Sequence, residues 1–340
     1  MLKNALKKRE YAMPGDSQSR DLSGAQGDIL YQMPESRKKD HIWVCVPTYR
    51  RNKMLERLLR TLALQETGGL FDISVVVVDN DAAAPARETV LRLEKELSLK
   101  ITYGIEPEQT IPAARNHALR LSHGNYIGII DDDEFAPQNW LLTMYKAIDT
   151  FNVDGALGPV HPFFESKPPA WLIKGGFCER PVHPTGTLLR WDQTRTGNVL
   201  LKKDVFDKHH LQFDLKWKTS GSDRAFFKEA MTVGCRFVAV EEAPVYEIVP
   251  PERWKKSYYL KRALVHGFNA YRNSVVELRG FSRAAVPVKL IGALIVYAVA
   301  TPICACFGTQ VLMRYLEKGC HHLSGLLAML GIELVKKRNF

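Results

Sequence analysis

Three short apolar runs, each stopping abruptly on polar residues, constrain this chain more than any other feature. Ile42-Trp43-Val44-Cys45-Val46 ends at Pro47-Thr48-Tyr49, and Ile73-Ser74-Val75-Val76-Val77-Val78 ends at Asp79-Asn80-Asp81. Tyr126-Ile127-Gly128-Ile129-Ile130 runs into Asp131-Asp132-Asp133-Glu134. Runs this short and this uninterrupted fit strands buried on both faces of a parallel sheet, where no solvent side imposes alternation. Helical periods separate them. Leu55, Leu58, Leu59 and Leu62 share one helical face, and a second helix is expected over about residues 85–97. A short strand over 101–103 follows, and then Pro112, in the first turn of a helix running through Leu119. Strand and helix alternating in this way predict an α/β fold on an open, mostly parallel sheet. Ligands of such sheets bind at the carboxyl ends of the strands. Thr48, Asp79 and Asp131 are therefore expected to share one edge.

The second half is less regular. Strands are expected over 156–160, 197–201 and 237–240, and a helix from about Lys203. Another helix opens at Gly221-Ser222-Asp223 and ends near Gly234, while residues 162–195 are loop-rich. Residues 1–40 mix Gly, Ser, Asp, Gln and Lys without periodicity and read as a mobile leader, with no apolar segment of a secretory signal. The six cysteines show no Cys-x-x-Cys spacing, so they signal neither a zinc site nor a redox motif, and free thiols in a reducing cytosol are expected.

The acidic turn carries the chemistry. Consecutive carboxylates repel unless a cation sits among them. Asp131 and Asp133, one residue apart, can both face Mg²⁺ or Mn²⁺, hard cations that take oxygen ligands and also bind diphosphate oxygens. The alternative is a solvated acidic turn or a helix cap. Asp79 has two readings, recognition of a nucleobase or ribose, or turn formation with Asn80. Asp223 reads as a general base for an acceptor hydroxyl, and beside that stands the reading, compatible with it, that Ser222 or Asp223 caps the helix that follows. Arg115, near a helix start, either meets phosphate or is a surface arginine.

In chain order, Val46-Pro47-Thr48-Tyr49-Arg50, residues 75–80 and Ala114-Arg115-Asn116 resemble motifs of family 2 glycosyltransferases with the GT-A fold. Ile130-Asp131-Asp132-Asp133, Gly197-Asn198 and Gly221-Ser222-Asp223 complete the series, which spans about residues 41–250. Glu247-Ile248-Val249-Pro250 with Arg253-Trp254 is similar to the subgroup that builds bacterial exopolysaccharide repeat units, of the succinoglycan glucosyltransferase type. The resemblance implies a site for a nucleotide-diphosphate sugar, a UDP-sugar foremost, lined by Pro47, Thr48, Arg50, Asp79, Arg115, Asp131 and Asp132. It implies Asp133 and Asp131 as ligands of Mg²⁺ or Mn²⁺, and Asp223 as the base of an inverting, single-displacement hexosyl transfer. Asn198, Arg253 and Trp254 would lie on the acceptor side, and the acceptor would be a glycan or a polyprenyl-linked glycan. One departure is that many members carry Glu-Asp where this chain has Ser222-Asp223, so any role of that Glu is absent.

Charge sets the tail apart. From Pro251 onward, 14 Lys and Arg face 4 Glu, which accounts for the whole formal charge of +10. Residues 253–272 alternate cations with aromatic and aliphatic side chains, and residues 290–307 are 18 positions without a charge. Basic flanks and an interruption at Thr301-Pro302 favour an interfacial or re-entrant hairpin bent near Pro302 over a single span. A second apolar stretch covers residues 323–334. The expected organisation is a leader (1–40), a GT-A domain (41–250) and a membrane-associating helical region (251–340), at the cytoplasmic face of the inner membrane. An anionic lipid surface, rather than nucleic acid, is the expected partner of the tail. The competing functions are a nucleotidyltransferase or sugar-nucleotide pyrophosphorylase, and a sugar-nucleotide-binding membrane protein without catalysis. The first of these wants a glycine-rich phosphate loop after the first strand, where Pro47-Thr48-Tyr49-Arg50 has no glycine.

Overall fold

The computed structural model describes residues 39–217, 221–277 and 281–335. All but the last two positions of the expected leader lie outside them. The chain opens with β1 (Asp40–Thr48), α1 (Asn52–Ala63), β2 (Phe71–Asp79), α2 (Arg87–Leu97) and β3 (Ile101–Ile105). Next come α3 (Ile111–Leu121), β4 (Tyr126–Ile129), β5 (Glu134–Phe135), α4 (Trp140–Thr150), β6 (Gly155–Leu157) and β7 (Val160–Phe163). These are followed by α5 (Ala170–Lys174), β8 (Val199–Lys202), α6 (Asp204–Asp207), α7 (Ser222–Thr232), β9 (Phe237–Ala239) and β10 (Val245–Ile248). Three long helices close the chain: α8 (Lys256–Glu277), α9 (Phe281–Ala305) and α10 (Thr309–Met329).

Seven strands form the central sheet in the order β3-β2-β1-β4-β8-β6-β9. β1 lies parallel to both β2 and β4, with Thr48 opposite Asp79 and Cys45 opposite Ile129, so three strand ends finish at one edge. Only β8 runs against its neighbours. Period-two alternation feeds two cores. Ile42, Val44, Val46, Val75 and Val77 pack under the leucines of α1 and under α4, while Trp43, Cys45, Val76 and Val78 face the phenylalanines around α7. Burial on both faces is why these strands read as continuous apolar runs. α3 starts where the sequence places it: the Thr110 hydroxyl accepts from the Ala113 amide, and Pro112 fills the first turn.

The stretch expected as one strand over 156–160 is two. β6 stays in the main sheet, and β7 joins a second, three-stranded sheet of order β5-β10-β7. The chain changes sheet at Gly158-Pro159. A Cβ on Gly158 would stand 2.0 Å from the Ala243 carbonyl oxygen, and Pro159 has no N–H to continue a ladder. The helix expected from Lys203 is a single turn, α6.

The tail differs from expectation in its bend. α9 continues through Pro287 and Pro302 to Ala305, and the chain turns at Gly308, where φ is 101°. At Pro302 the helix keeps its course as the Thr301 hydroxyl donates to the Tyr297 carbonyl one turn back. α10 starts at Thr309, well before the apolar stretch expected from residue 323, and packs along both α8 and α9. Gly267 of α8 permits a close crossing, since a Cβ there would lie 2.0 Å from the His321 carbonyl oxygen. Leu172, Phe177, Tyr259 and Met313 form a third core joining α5, α8 and α10. Arg314 donates twice to the Gly175 carbonyl beside it, at 3.1 and 2.7 Å.

Candidate active site

β4 delivers the chain into a tight turn. The Glu134 amide donates to the Asp131 carbonyl, and the Asp131 amide donates to the Glu134 carboxylate, both at 3.1 Å. The closed turn sends its carboxylates to different partners. Asp132, buried, points back at the end of β1 and accepts from the Thr48 hydroxyl at 2.8 Å and from Arg51 at 2.9 Å. Burial pushes its pKa up to about 6, against the pull of Arg51. Asp133 accepts from the same Arg51 nitrogen at 3.0 Å and from Arg253 at 3.3 Å. Arg253 also donates to Glu247 at 2.8 Å, and Glu247 takes Arg180 as a second partner. Burial drives the Glu134 pKa well above the usual carboxylate range, and the neighbouring Asp131 and Asp133 add to the rise.

Asp131 faces the other way, toward α3 and α7, with its side chain 40% exposed. Arg115, only 4% exposed, donates to it at 3.3 Å and to Asp223 at 2.6 Å. One buried guanidinium therefore ties the acidic turn to the candidate base. Of the two readings of Arg115, the surface arginine is excluded. Asp223 is not the cap of α7 either: Gly221 precedes the helix with φ 93°, and no side chain caps it. The Asp223 carboxylate instead accepts from Arg115, from the Thr196 amide at 3.3 Å and from the Ser222 hydroxyl at 3.1 Å. Burial raises its pKa, but Arg115 and Thr196 outweigh that and hold it below the usual range. Asp223 is thus ionised at neutral pH.

Asp79 ends β2 opposite Thr48 and is fully buried. Its Oδ2 accepts from the Ala86 amide at 2.8 Å and from the Tyr103 hydroxyl at 2.9 Å, which pins the loop leading to α2. Its Oδ1 is buried with no protein donor. One oxygen of the carboxylate holds the turn, and the other is left without a donor. Pro47 sits beside Thr48 on β1, opposite Val78. Arg50, with φ 54°, turns outward to Asp81 at 2.5 Å. It is Arg51 that enters the acidic turn. Asn198, in left-handed conformation with φ 64°, is fully buried. It accepts from the Trp140 indole at 2.7 Å and donates to the Pro159 and Ala243 carbonyls at 2.8 and 2.9 Å. Both ends of its carboxamide brace the point where the chain changes sheet. Gly197 beside it lets the backbone approach the acids, since a Cβ there would be 2.8 Å from Glu134 Oε1 and 3.3 Å from Asp131 Oδ2. Trp254 donates its indole N–H to the Val249 carbonyl at 2.9 Å and packs edge-on against Phe164.

Among the described residues, no three His, Cys, Asp or Glu side chains form a ready-made metal cage. The carboxylates of the acidic turn are oxygen donors of the kind Mg²⁺ and Mn²⁺ take, and in phosphoryl sites such ions need only one or two of them, with diphosphate and water in the remaining positions. Hard oxygen donors concentrated at one strand end are the right donor set. In the sequence, Glu134 stands out only as a member of the acidic run and Glu247 only as a member of the 247–250 motif, and neither Arg51, Arg180 nor Thr196 is singled out. Of these three, Arg51 alone has a local signal, as the second arginine after a strand that ends in a polar turn.

A family model described as glycosyl transferase family 2 matches residues 43–211, which contain every strand end just described. The succinoglycan biosynthesis protein ExoM of Rhizobium meliloti (strain 1021) is 31% identical over 301 residues, covering 86% of this chain and 95% of its own length. Among solved structures, the mannosyltransferase PcManGT from Pyrobaculum calidifontis, in complex with GDP-Man and Mn²⁺, superposes with a TM-score of 0.55 at 18% identity. That likeness covers 86% of this chain and 87% of the other. S. aureus TarS 1-349 in complex with UDP superposes at 0.50 and 16% identity, over 86% and 92% of the two chains. Both structures share the GT-A architecture of a mostly parallel central sheet. With its sequence match extending over nearly the full length of ExoM, the chain belongs to glycosyl transferase family 2.

Proposed function

We propose that this glycosyltransferase catalyses an inverting hexosyl transfer from a nucleotide-diphosphate sugar, a UDP-sugar foremost, to a hydroxyl of a lipid-linked glycan during bacterial surface-polysaccharide synthesis. One observation carries the reading: the buried Arg115 guanidinium pairs with both Asp131 of the acidic turn and Asp223. The nucleotide would lie along the ends of β1 and β2, where the unpaired Oδ1 of Asp79 offers an acceptor to a nucleobase or ribose. Asp133, with Asp131, would hold Mg²⁺ or Mn²⁺. When bound, the ion neutralises the charge that grows on the departing nucleoside diphosphate.

The remaining chemistry is the protein's. Asp223, ionised and oriented by Arg115 and the Thr196 amide, takes the proton of the acceptor hydroxyl as that oxygen attacks the anomeric carbon. The bond from that carbon to the diphosphate oxygen breaks in the same step, and the diphosphate leaves with the bonding pair. A single displacement of this kind inverts the anomeric configuration. Arg51 and Arg253 keep Asp132 and Asp133 in place and add positive charge beside the leaving group. Arg253 and Trp254 open the segment between this cleft and α8, the side assigned to the acceptor.

We read the chain as a catalytic α/β domain over about 41–250, with a membrane-associating region after it. α9 is long and apolar enough over Ala285–Ala305 to cross a bilayer, and only 6% of that window is buried. Val288, Ile295, Val299 and Ile303 stand exposed along it, with Phe307 exposed just after its end. An apolar face of this size next to a basic surface suits a membrane of anionic lipid, taken to be the cytoplasmic leaflet. A panel of UDP- and GDP-sugars tests the donor assignment by thermal unfolding with and without Mn²⁺. A ligand at a hundredfold excess over its Kd stabilises by about 2.7 kcal/mol. A rise in Tm confined to the nucleotide sugar and Mn²⁺ together is the expected result, and no response to any nucleotide sugar would refute the proposal.

A further inference from the structure

A cavity of about 500 Å³ opens from the catalytic cleft toward the tail. Arg51, Asp133 and Arg253 belong to the cleft, while Lys255, with Lys261 and Arg262 of α8, continues the lining beyond it. Its acids are Asp133, already paired with two arginines, and Glu252. The cations differ in how they are satisfied. Arg51 and Arg253 are engaged by Asp132, Asp133 and Glu247. Arg262 pairs with Glu317 at 3.2 Å and lies over the Tyr259 ring at 4.7 Å. Lys255 and Lys261 are exposed and make no ion pair among the described residues. Two flexible ammonium groups over a concave wall, in excess of the local acids, fit an incoming multivalent anion, and lysine serves phosphate as a point charge.

The neighbourhood of this wall says which anion. α8 packs against α10, and α10 packs along α9, whose exposed face is apolar. A ligand with a diphosphate head and a hydrocarbon chain matches both surfaces, whereas a soluble nucleotide sugar has nothing to place on α9. We propose that Lys255 and Lys261 bind the diphosphate of a lipid-linked acceptor, in a subsite separate from that of the donor diphosphate. This rests on the reading of the chain as a transferase with a lipid-linked acceptor, and names the residues that would hold that acceptor.

The test uses the full chain in detergent and geranyl diphosphate as the probe, titrated calorimetrically with Mn²⁺ and saturating UDP present, and with GDP in parallel. Geranyl diphosphate is expected to bind with the nucleotide in place, and Lys255→Ala/Lys261→Ala to weaken it at least about tenfold while nucleotide affinity stays unchanged, as expected when two charge-assisted contacts are lost. Competition between geranyl diphosphate and the nucleotide, equal binding of geraniol, or a matching loss of nucleotide affinity in the variant would each overturn the subsite. Vesicles of phosphatidylglycerol and phosphatidylcholine separate it from headgroup binding: the variant should bind them as the parent does, and a parallel loss would assign the lysines to the lipid surface instead. Lysine-dependent binding of geranyl diphosphate without any nucleotide binding would support the anion subsite while refuting the donor reading.

Discussion

At the scale of single residues, Arg115 decides how the site is built. Among the described residues it is the cation that pairs with both Asp131 and Asp223, so removing it takes an ion pair from each carboxylate. Arg115 is buried, but the carboxylates left behind keep 40% and 31% of their side chains exposed, so the loss is on the order of 1–3 kcal/mol. Arg115→Met should therefore lower the unfolding free energy by an amount of that order, read from a lower urea midpoint at unchanged slope, as well as abolish transfer, and an unchanged midpoint would show the pair to be dispensable for the fold. Asp223→Asn is different, because the amide fits the same space while no longer accepting a proton. Donor affinity should persist and kcat fall by a factor of roughly 10² or more, read from binding and turnover on the same preparation. The aspartates of this site were legible in the sequence, because each ends an apolar run or opens a helix. Their partners were not. Arg51 reaches residues 81 and 82 positions away, and Arg253 pairs with Asp133 across 120. Nothing local in a sequence encodes such a pairing, so Arg115 read as readily as a surface residue.

At the scale of elements, the parallel strands declared themselves because burial on both faces removes polar residues from them. The second sheet did not, since β5, β7 and β10 are 2 to 4 residues long and too short to establish a period. Gly158 and Pro159 marked the break between β6 and β7, but only the carbonyl of Ala243 close by shows why glycine is needed there. Proline 302 misled in the opposite sense. A proline inside a helix usually marks a kink, yet here the sharp turn falls at Gly308, whose positive φ accommodates it without a Cβ clash. The close approach of α8 and α10 at Gly267 gives a prediction for these elements. Gly267→Val forces a branched side chain against the His321 carbonyl, so the helices must part at a cost of roughly 1–3 kcal/mol. Limited proteolysis should then cut within the tail before the α/β domain, and a parental cleavage pattern would mean that the crossing is looser than described.

At the scale of the whole molecule, the distribution of charge and apolar surface sets the tail apart from the α/β body. The net charge of +10 resides after Pro251, where α8 to α10 present cations beside an apolar face. Ile295→Glu/Val299→Glu places two charges on that face, both residues being exposed, and leaves the strand edge untouched. The doubly substituted chain should lose at least about tenfold in binding to anionic vesicles while retaining nucleotide-sugar affinity, as expected for removal of apolar contact with the acyl boundary. Undiminished vesicle binding would move the membrane contact elsewhere.

Upstream of that tail, three strand ends and the start of α7 bring Asp79, the acidic turn and Asp223 to one edge of the sheet. Calorimetric titration of the donor sugar nucleotide into the parent and into Asp133→Asn, with and without Mn²⁺, tests this convergence most directly. The predicted result is tight, Mn²⁺-dependent binding to the parent, with the Mn²⁺ dependence gone from a variant that still unfolds cooperatively. Equal, Mn²⁺-responsive binding by both proteins would contradict a donor diphosphate held through a cation at Asp133.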